Sequence, residues 1–206
     1  MATTSNYGWT TPDDNSLVKD GASAIRTLGS AIDTSLNTAL GTKKAGMVLL
    51  NTTSFSAVAS QSINDVFSAT YTNYLITLDD LIRSASGGDS SIYLRLRVSG
   101  TDSTAGYYWG QNYALFASAT SAGSNLNNGN HFSVCGTENV VKTSSQIWLQ
   151  NPFTTKQTTM QSLQTRHDAG SYICGYNSAT TSYTGFTLLP TAANITGTVT
   201  VYGFNK

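Results

Sequence analysis

The strongest constraint on how this chain can fold is a change in the period of its apolar residues near residue 41. Before that point Leu17, Val18, Ala22, Ile25, Leu28, Ile32, Leu36 and Leu40 recur at spacings of three and four, which predicts one amphipathic helix. Ser16 suits its N-cap, and Pro12-Asp13-Asp14-Asn15 places a turn and negative charge at the positive end of the helix dipole. Gly41, followed by Lys43 and Lys44, suits its end. From residue 46 the period falls to two. The sequence therefore divides into an N-terminal helical segment, 1–45, and a β domain, 46–206.

Within the β domain, Ser91-Ile-Tyr-Leu-Arg-Leu-Arg-Val-Ser99 places Ile92, Leu94, Leu96 and Val98 on one face and Tyr93, Arg95 and Arg97 on the other. Residues 74–78 and 195–204 alternate in the same way, and further short strands are expected at 47–50, 63–70, 107–117, 131–135, 146–150, 159–165, 172–176 and 184–188. The expected fold is mainly β: an N-terminal α-helix, then an antiparallel β-sandwich of jelly-roll type. Asn125-Leu-Asn-Asn-Gly-Asn130 reads as a long polar loop, and Ser86-Gly-Gly-Asp89 as a turn.

Composition excludes several functions. Eleven basic and eleven acidic residues cancel, and only 11% of positions are charged, against roughly 25% in an average globular protein. There is no basic stripe to displace counterions from phosphate and no Lys/Arg cluster for an anionic lipid surface, so neither a nucleic-acid partner nor membrane insertion is expected. No run of eighteen apolar residues occurs, and the N-terminus lacks the basic and apolar regions of an export signal. The polar groups are instead neutral, with 31 Thr, 26 Ser and 16 Asn among 206 residues. Cys135 and Cys174 read as buried free thiols rather than a disulfide scaffold.

In the helix, Val18, Ile25, Ile32 and Ala39 fall seven apart, with Ala22, Gly29 and Leu36 on an adjacent track. This heptad-like seam suits helix against helix better than helix against sheet. A lone helix of about 25 residues, rich in small side chains, is marginal in water. The seam therefore predicts a short coiled coil with copies of the same chain, in preference to packing on its own β domain.

The opening Ser5-Asn-Tyr-Gly-Trp9, Pro12-Asp13-Asp14 and Leu17-Val-Lys-Asp-Gly-Ala22, followed by Ile25 and Ile32-Asp33, resembles the start of many tailed-bacteriophage virion proteins. Tyr71-Thr-Asn-Tyr-Leu-Ile-Thr-Leu78, Leu94-Arg-Leu-Arg97, Gly100-Thr-Asp102, Tyr183-Thr-Gly-Phe186 and Ile195-Thr-Gly-Thr-Val-Thr-Val-Tyr-Gly203 resemble the jelly-roll domains of phage tail fibres, receptor-binding proteins and head fibres. Residues 118–170 depart from that pattern. The resemblance implies a homotrimeric virion appendage, assembled in the host cytoplasm, whose N-terminal segment binds other virion proteins. Tyr7, Trp9 and Pro12 would then form an extended aromatic tag for a groove on another subunit, and Val18, Ile25, Ile32 and Leu36 the oligomerisation seam.

Gly106-Tyr-Tyr-Trp-Gly-Gln-Asn-Tyr113 is the densest aromatic cluster, and Tyr107, Tyr108, Trp109, Asn112 and Tyr113 are candidate contacts for a host surface glycan. Alternating aromatics in a strand also line cores and interfaces. His131 and His167 have no Cys, Asp or Glu at metal-ligand spacing, so no metal or other cofactor is expected. Arg166-His-Asp168 beside Ser171 reads as a charged turn, since no Gly-x-Ser-x-Gly elbow accompanies it. Glu138 is the sole glutamate, which leaves little for paired-carboxylate hydrolysis, and no catalytic residue is assigned. Arg95 and Arg97, two apart on one strand face, require an acidic answer from Asp79, Asp80 or Asp102, or from a neighbouring chain's Asp or Lys206 carboxylate. The expected function is a trimeric tail fibre or baseplate spike contributing to host attachment. The alternatives are a capsid head fibre or decoration protein and a stand-alone carbohydrate-binding module.

Overall fold

The computed structural model describes residues 2–13, 15, 17–40, 46–85, 90–118, 120–166 and 168–205. Ser16, Gly41, Lys43, Lys44, the 86–89 turn, His167 and Lys206 lie outside them, so the expected N-cap and helix stop do too. The chain divides into two compact units, Met1–Gly46 and Met47–Lys206.

In the first unit, β1 (Ala2–Thr3) pairs antiparallel with β2 (Thr10–Thr11). Gly8, at φ +66°, turns the chain between them, and its N–H donates to the Thr4 carbonyl. The helix expected from Leu17 starts later. Val18–Asp20 forms a 3-10 turn led by Leu17, which has extended dihedrals and no side-chain cap, and α1 runs Gly21–Leu40. Thr27, Thr34 and Thr38 each donate a hydroxyl hydrogen bond to the carbonyl four residues back, which lets a Thr-rich helix satisfy its hydroxyls locally.

The second unit is mainly β, an antiparallel sandwich. Its strands are β3 (Met47–Val58), β4 (Gln61–Ile63), β5 (Tyr71–Arg83), β6 (Ser90–Val98), β7 (Thr101–Asp102), β8 (Tyr107–Leu115) and β9 (Ser121–Gly129). They continue with β10 (Phe132–Thr137), β11 (Thr143–Gln150), β12 (Thr158–Thr165), β13 (Ala169–Asn177), β14 (Gly185–Pro190) and β15 (Ile195–Asn205). One sheet has the order β3-β15-β5-β11-β12-β13-β8-β9; the other is β10-β6-β14-β4, with β7 on β6. The strands thus divide eight and five, where the simplest jelly roll divides eight strands equally. Between the sheets lie Tyr74, Ile76, Leu78, Ile147, Leu149, Ile173, Val199 and Val201 of the larger and Ile92, Leu94, Leu96, Phe132, Phe186 and Leu188 of the smaller, all fully buried.

Two expected elements differ. The run 63–70 is not a strand: β4 ends at Ile63, and the N–H groups of Val66 and Phe67 both donate to the Thr184 carbonyl, which no ladder permits. Both side chains are nonetheless buried, so their apolar character reports a core plug delivered from a loop. Residues 125–130, expected as a loop, belong mostly to β9, which pairs with β8 from Tyr107↔Gly129 to Ala114↔Ser121. β9 is an edge strand exposed on both faces, so backbone pairing specifies it and no apolar alternation announces it.

Candidate functional site

In the first unit Trp9 is not part of an extended tag. The β1–β2 pairing returns the chain, and the Trp9 indole N–H donates to the Ser35 hydroxyl of α1 at 3.0 Å. Tyr7 stacks on Trp9 with centroids 5.1 Å apart and stays exposed, as does Pro12. The hairpin covers the α1 face bearing Ala24, Leu28, Ala31 and Ser35, all half-buried. The seam lies beside that face and is largely open: Val18 is 98% exposed, Ile25 65% and Leu36 51%, while Ile32 is half-buried.

In the second unit the five candidate glycan contacts divide between the two faces of β8, because side chains alternate along a strand. Tyr107 points inward and is fully buried; its hydroxyl accepts from the Leu96 N–H at 2.9 Å and donates to the Ser103 carbonyl at 3.0 Å. It is a structural residue with no face for a sugar, and desolvation raises its hydroxyl pKa. Trp109 is half-buried against the core. Tyr113 lines a cavity of about 350 Å³ between the sheets, with Gln111, Ser133, Gln164, Arg166 and Ser171. Tyr108 and Asn112 lie on the outer face.

That outer face holds what sequence reasoning missed. Tyr176 of β13 is the register partner of Tyr108, and their rings stack 4.8 Å apart within 4° of parallel. A depression of about 560 Å³ surrounds the pair, lined also by Gly110, Asn125, Asn127 and Gln161. A second, of about 380 Å³, is lined by Asn112, Tyr172 and Ser124 and shares Gly110, Asn125 and Cys174 with the first. The sequence signal was available in Tyr172, Cys174 and Tyr176, which alternate on β13, but only the β13–β8 register brings them beside Tyr108.

The charged residues serve the scaffold. Arg97 donates to Asp102, to the Thr187 hydroxyl at 2.7 Å, to Asn64 at 3.1 Å and to the Gly100 carbonyl, so its acidic answer comes from Asp102 of its own chain. Arg95 reaches the Asn130 carbonyl at 3.0 Å. Arg166 forks onto Asp168, 2.7 Å away, with Glu138 at 3.8 Å. Both cysteines are free, but only Cys135 is buried; Cys174 is exposed because it falls on the outward phase of β13. Burial pushes the Cys135 thiol pKa up. Among the described residues no group of three or more His, Cys, Asp or Glu side chains could hold a metal ion, and no helix is long and apolar enough to cross a membrane.

His131 stacks on Tyr93, with ring centroids 3.5 Å apart. Desolvation, and then the nearby Arg95 guanidinium, push its pKa from 6.5 down to about 4. The unfolded chain takes up this proton near pH 6.5 and the folded chain only near pH 4, so this contribution to stability is complete above pH 6.5 and is lost as pH falls toward 4. The thermal midpoint should therefore drop more steeply between pH 7 and about 4 in the wild type than in His131→Gln. Equal slopes would contradict this assignment.

No protein-family model matches the chain, and neither does any curated protein.

Proposed function

We propose that the chain is a structural protein of a phage virion, a trimeric tail fibre or baseplate-associated spike that contributes to host-surface attachment. The observation that supports this reading best is the open seam on α1. Ile25 and Leu36 of α1, with Val18 of the 3-10 turn that leads into it, present apolar surface to water along one flank of a single helix rich in small side chains. A helix from a copy of the same chain would cover that surface with matching geometry. The exposed Tyr7 ring, stacked on Trp9 at the tip of the hairpin, supplies a rigid aromatic contact for an anchoring subunit. Attachment then works by multivalency: β domains held in one particle raise avidity through effective concentration, so each site can be weak.

Gold-labelled antibody against the chain, applied to particles purified from the host that carries this gene, tests the reading. Label at the tail or baseplate is expected. Label on the capsid selects the head-fibre alternative, and absence of label from particles overturns the proposal.

A further inference from the structure

We infer that the outer face of the eight-stranded sheet carries a binding trough for an extended, uncharged oligosaccharide, with Tyr172 at one end and the Tyr108–Tyr176 pair at the other. This deepens the attachment role proposed above by naming a site and a ligand class.

The two depressions, of about 380 and 560 Å³, share Gly110, Asn125 and Cys174 and so form one continuous trough, each lobe of a size suited to a small-molecule ligand. An aromatic side chain stands in each lobe. Tyr172 is 45% exposed and Tyr176 37%, on the same face of β13. Four residues of strand separate them by about 13 Å, so a ligand that touches both is longer than one sugar ring. Asn112, Asn125, Asn127 and Gln161 surround the rings with amide donors and acceptors, the pairing of apolar faces and hydrogen-bonding groups that a sugar requires.

Charge narrows the ligand. Among the described residues lining the trough there is no Asp, Glu, Lys, Arg or His. An anionic polymer would find no cation to offset its desolvation, whereas a neutral glycan needs none.

The glycines supply an independent argument. Glycine inside a strand costs roughly 0.5–1 kcal/mol and often marks a place where another molecule comes close to the backbone. Gly175 is required by packing, since a Cβ there would collide with the Tyr108 carbonyl and with Trp109. Gly110 is not: a Cβ there meets nothing within 4 Å, and its backbone is not left-handed. No packing contact of the chain itself requires glycine at 110, beside the β8–β9 register shift, and its bare backbone leaves the floor of the trough open to a ligand lying across it.

The test uses the full-length chain. Hexasaccharides of glucose, galactose, mannose and N-acetylglucosamine, with oligogalacturonate as the charged comparison, are titrated by calorimetry while Trp fluorescence is followed. At least one neutral hexasaccharide should bind, with affinity unchanged between about 50 and 500 mM salt because no ion pair is made. Gly110→Val, which fills the floor with a residue that favours strands, and Tyr176→Ala should each weaken binding at least about tenfold at unchanged sedimentation, with a cooperative thermal transition retained and the midpoint of Gly110→Val no lower than that of the wild type. Failure of every neutral probe, preference for oligogalacturonate, or full binding by Gly110→Val would overturn the inference. So would a change in oligomeric state on Gly110→Val, which would make this face an interface between copies. A monomer that still binds the hexasaccharide through Tyr176 would sink the trimeric fibre and leave the trough standing.

Discussion

Replacing Ile25 and Leu36 together by aspartate is expected to reduce the sedimenting mass of the protein threefold, from trimer to monomer. Both side chains face water in the single chain, at 65% and 51% exposure, so aspartate there costs the isolated protomer little. In a three-helix seam each would be buried, and burying an Ile or Leu side chain contributes roughly 1.5–3 kcal/mol. Losing two such contributions per chain and placing carboxylates in an apolar seam removes more free energy than so short an assembly can spare. Unit Met47–Lys206 has its own core, so its thermal transition should persist. Replacing Asn37, on the exposed flank of α1, by aspartate is the control and should leave the mass unchanged.

The second large effect concerns Gln164, which joins the two sheets. Its amide nitrogen donates to the Gly136 carbonyl at 2.6 Å, and its amide oxygen accepts from the Gly136 N–H at 2.8 Å, so one side chain takes the place of a neighbouring strand. Gly136 belongs to β10, an edge strand whose open side would otherwise leave these groups unpaired. The Ser171 hydroxyl donates to the same amide oxygen at 3.2 Å and fixes its orientation. Gln164→Leu keeps the bulk but leaves a backbone donor without its partner and weakens an acceptor that the Thr143 hydroxyl reaches only at 3.4 Å. A loss of about 1–2 kcal/mol is expected by urea denaturation, toward the lower end of the cost of an unpaired buried group because Gly136 is only half-buried beside the cavity. Gln164→Glu restores only the acceptor and should not recover full stability. A loss below about 0.5 kcal/mol for Gln164→Leu would show that the amide bridge is ornamental.

How much of this was legible depends on what each residue reports. Strands with one face in the core announce themselves: the alternation at Ile92, Leu94 and Leu96 gave the face assignment of β6 directly, because all three are fully buried. Edge strands do not. β9 is Ser-, Gly- and Asn-rich and exposed on both faces, so it is held by ladder hydrogen bonds that carry no side-chain signature. Val66 and Phe67 misled in the opposite sense, since apolar character marks burial and not the backbone path that achieves it.

The aromatic cluster shows the same limit. Tyr107-Tyr-Trp-Gly-Gln-Asn-Tyr113 is adjacent in sequence, yet a strand sends neighbours to opposite faces, so Tyr107 became a core hydrogen-bonding post while Tyr108 went to the outer surface. Its stacking partner, Tyr176, lies 68 positions further along and is set by register alone. The Trp9–Ser35 contact, 26 residues apart, was likewise out of reach of local reading.

Sedimentation equilibrium of the intact, purified chain over a range of concentrations tests the oligomeric account most directly. Closure of the α1 seam by sister helices predicts a species of three times 21.8 kDa that persists on dilution. A single species of 21.8 kDa at every concentration would mean that no sister helix covers Val18, Ile25 and Leu36, and would contradict it.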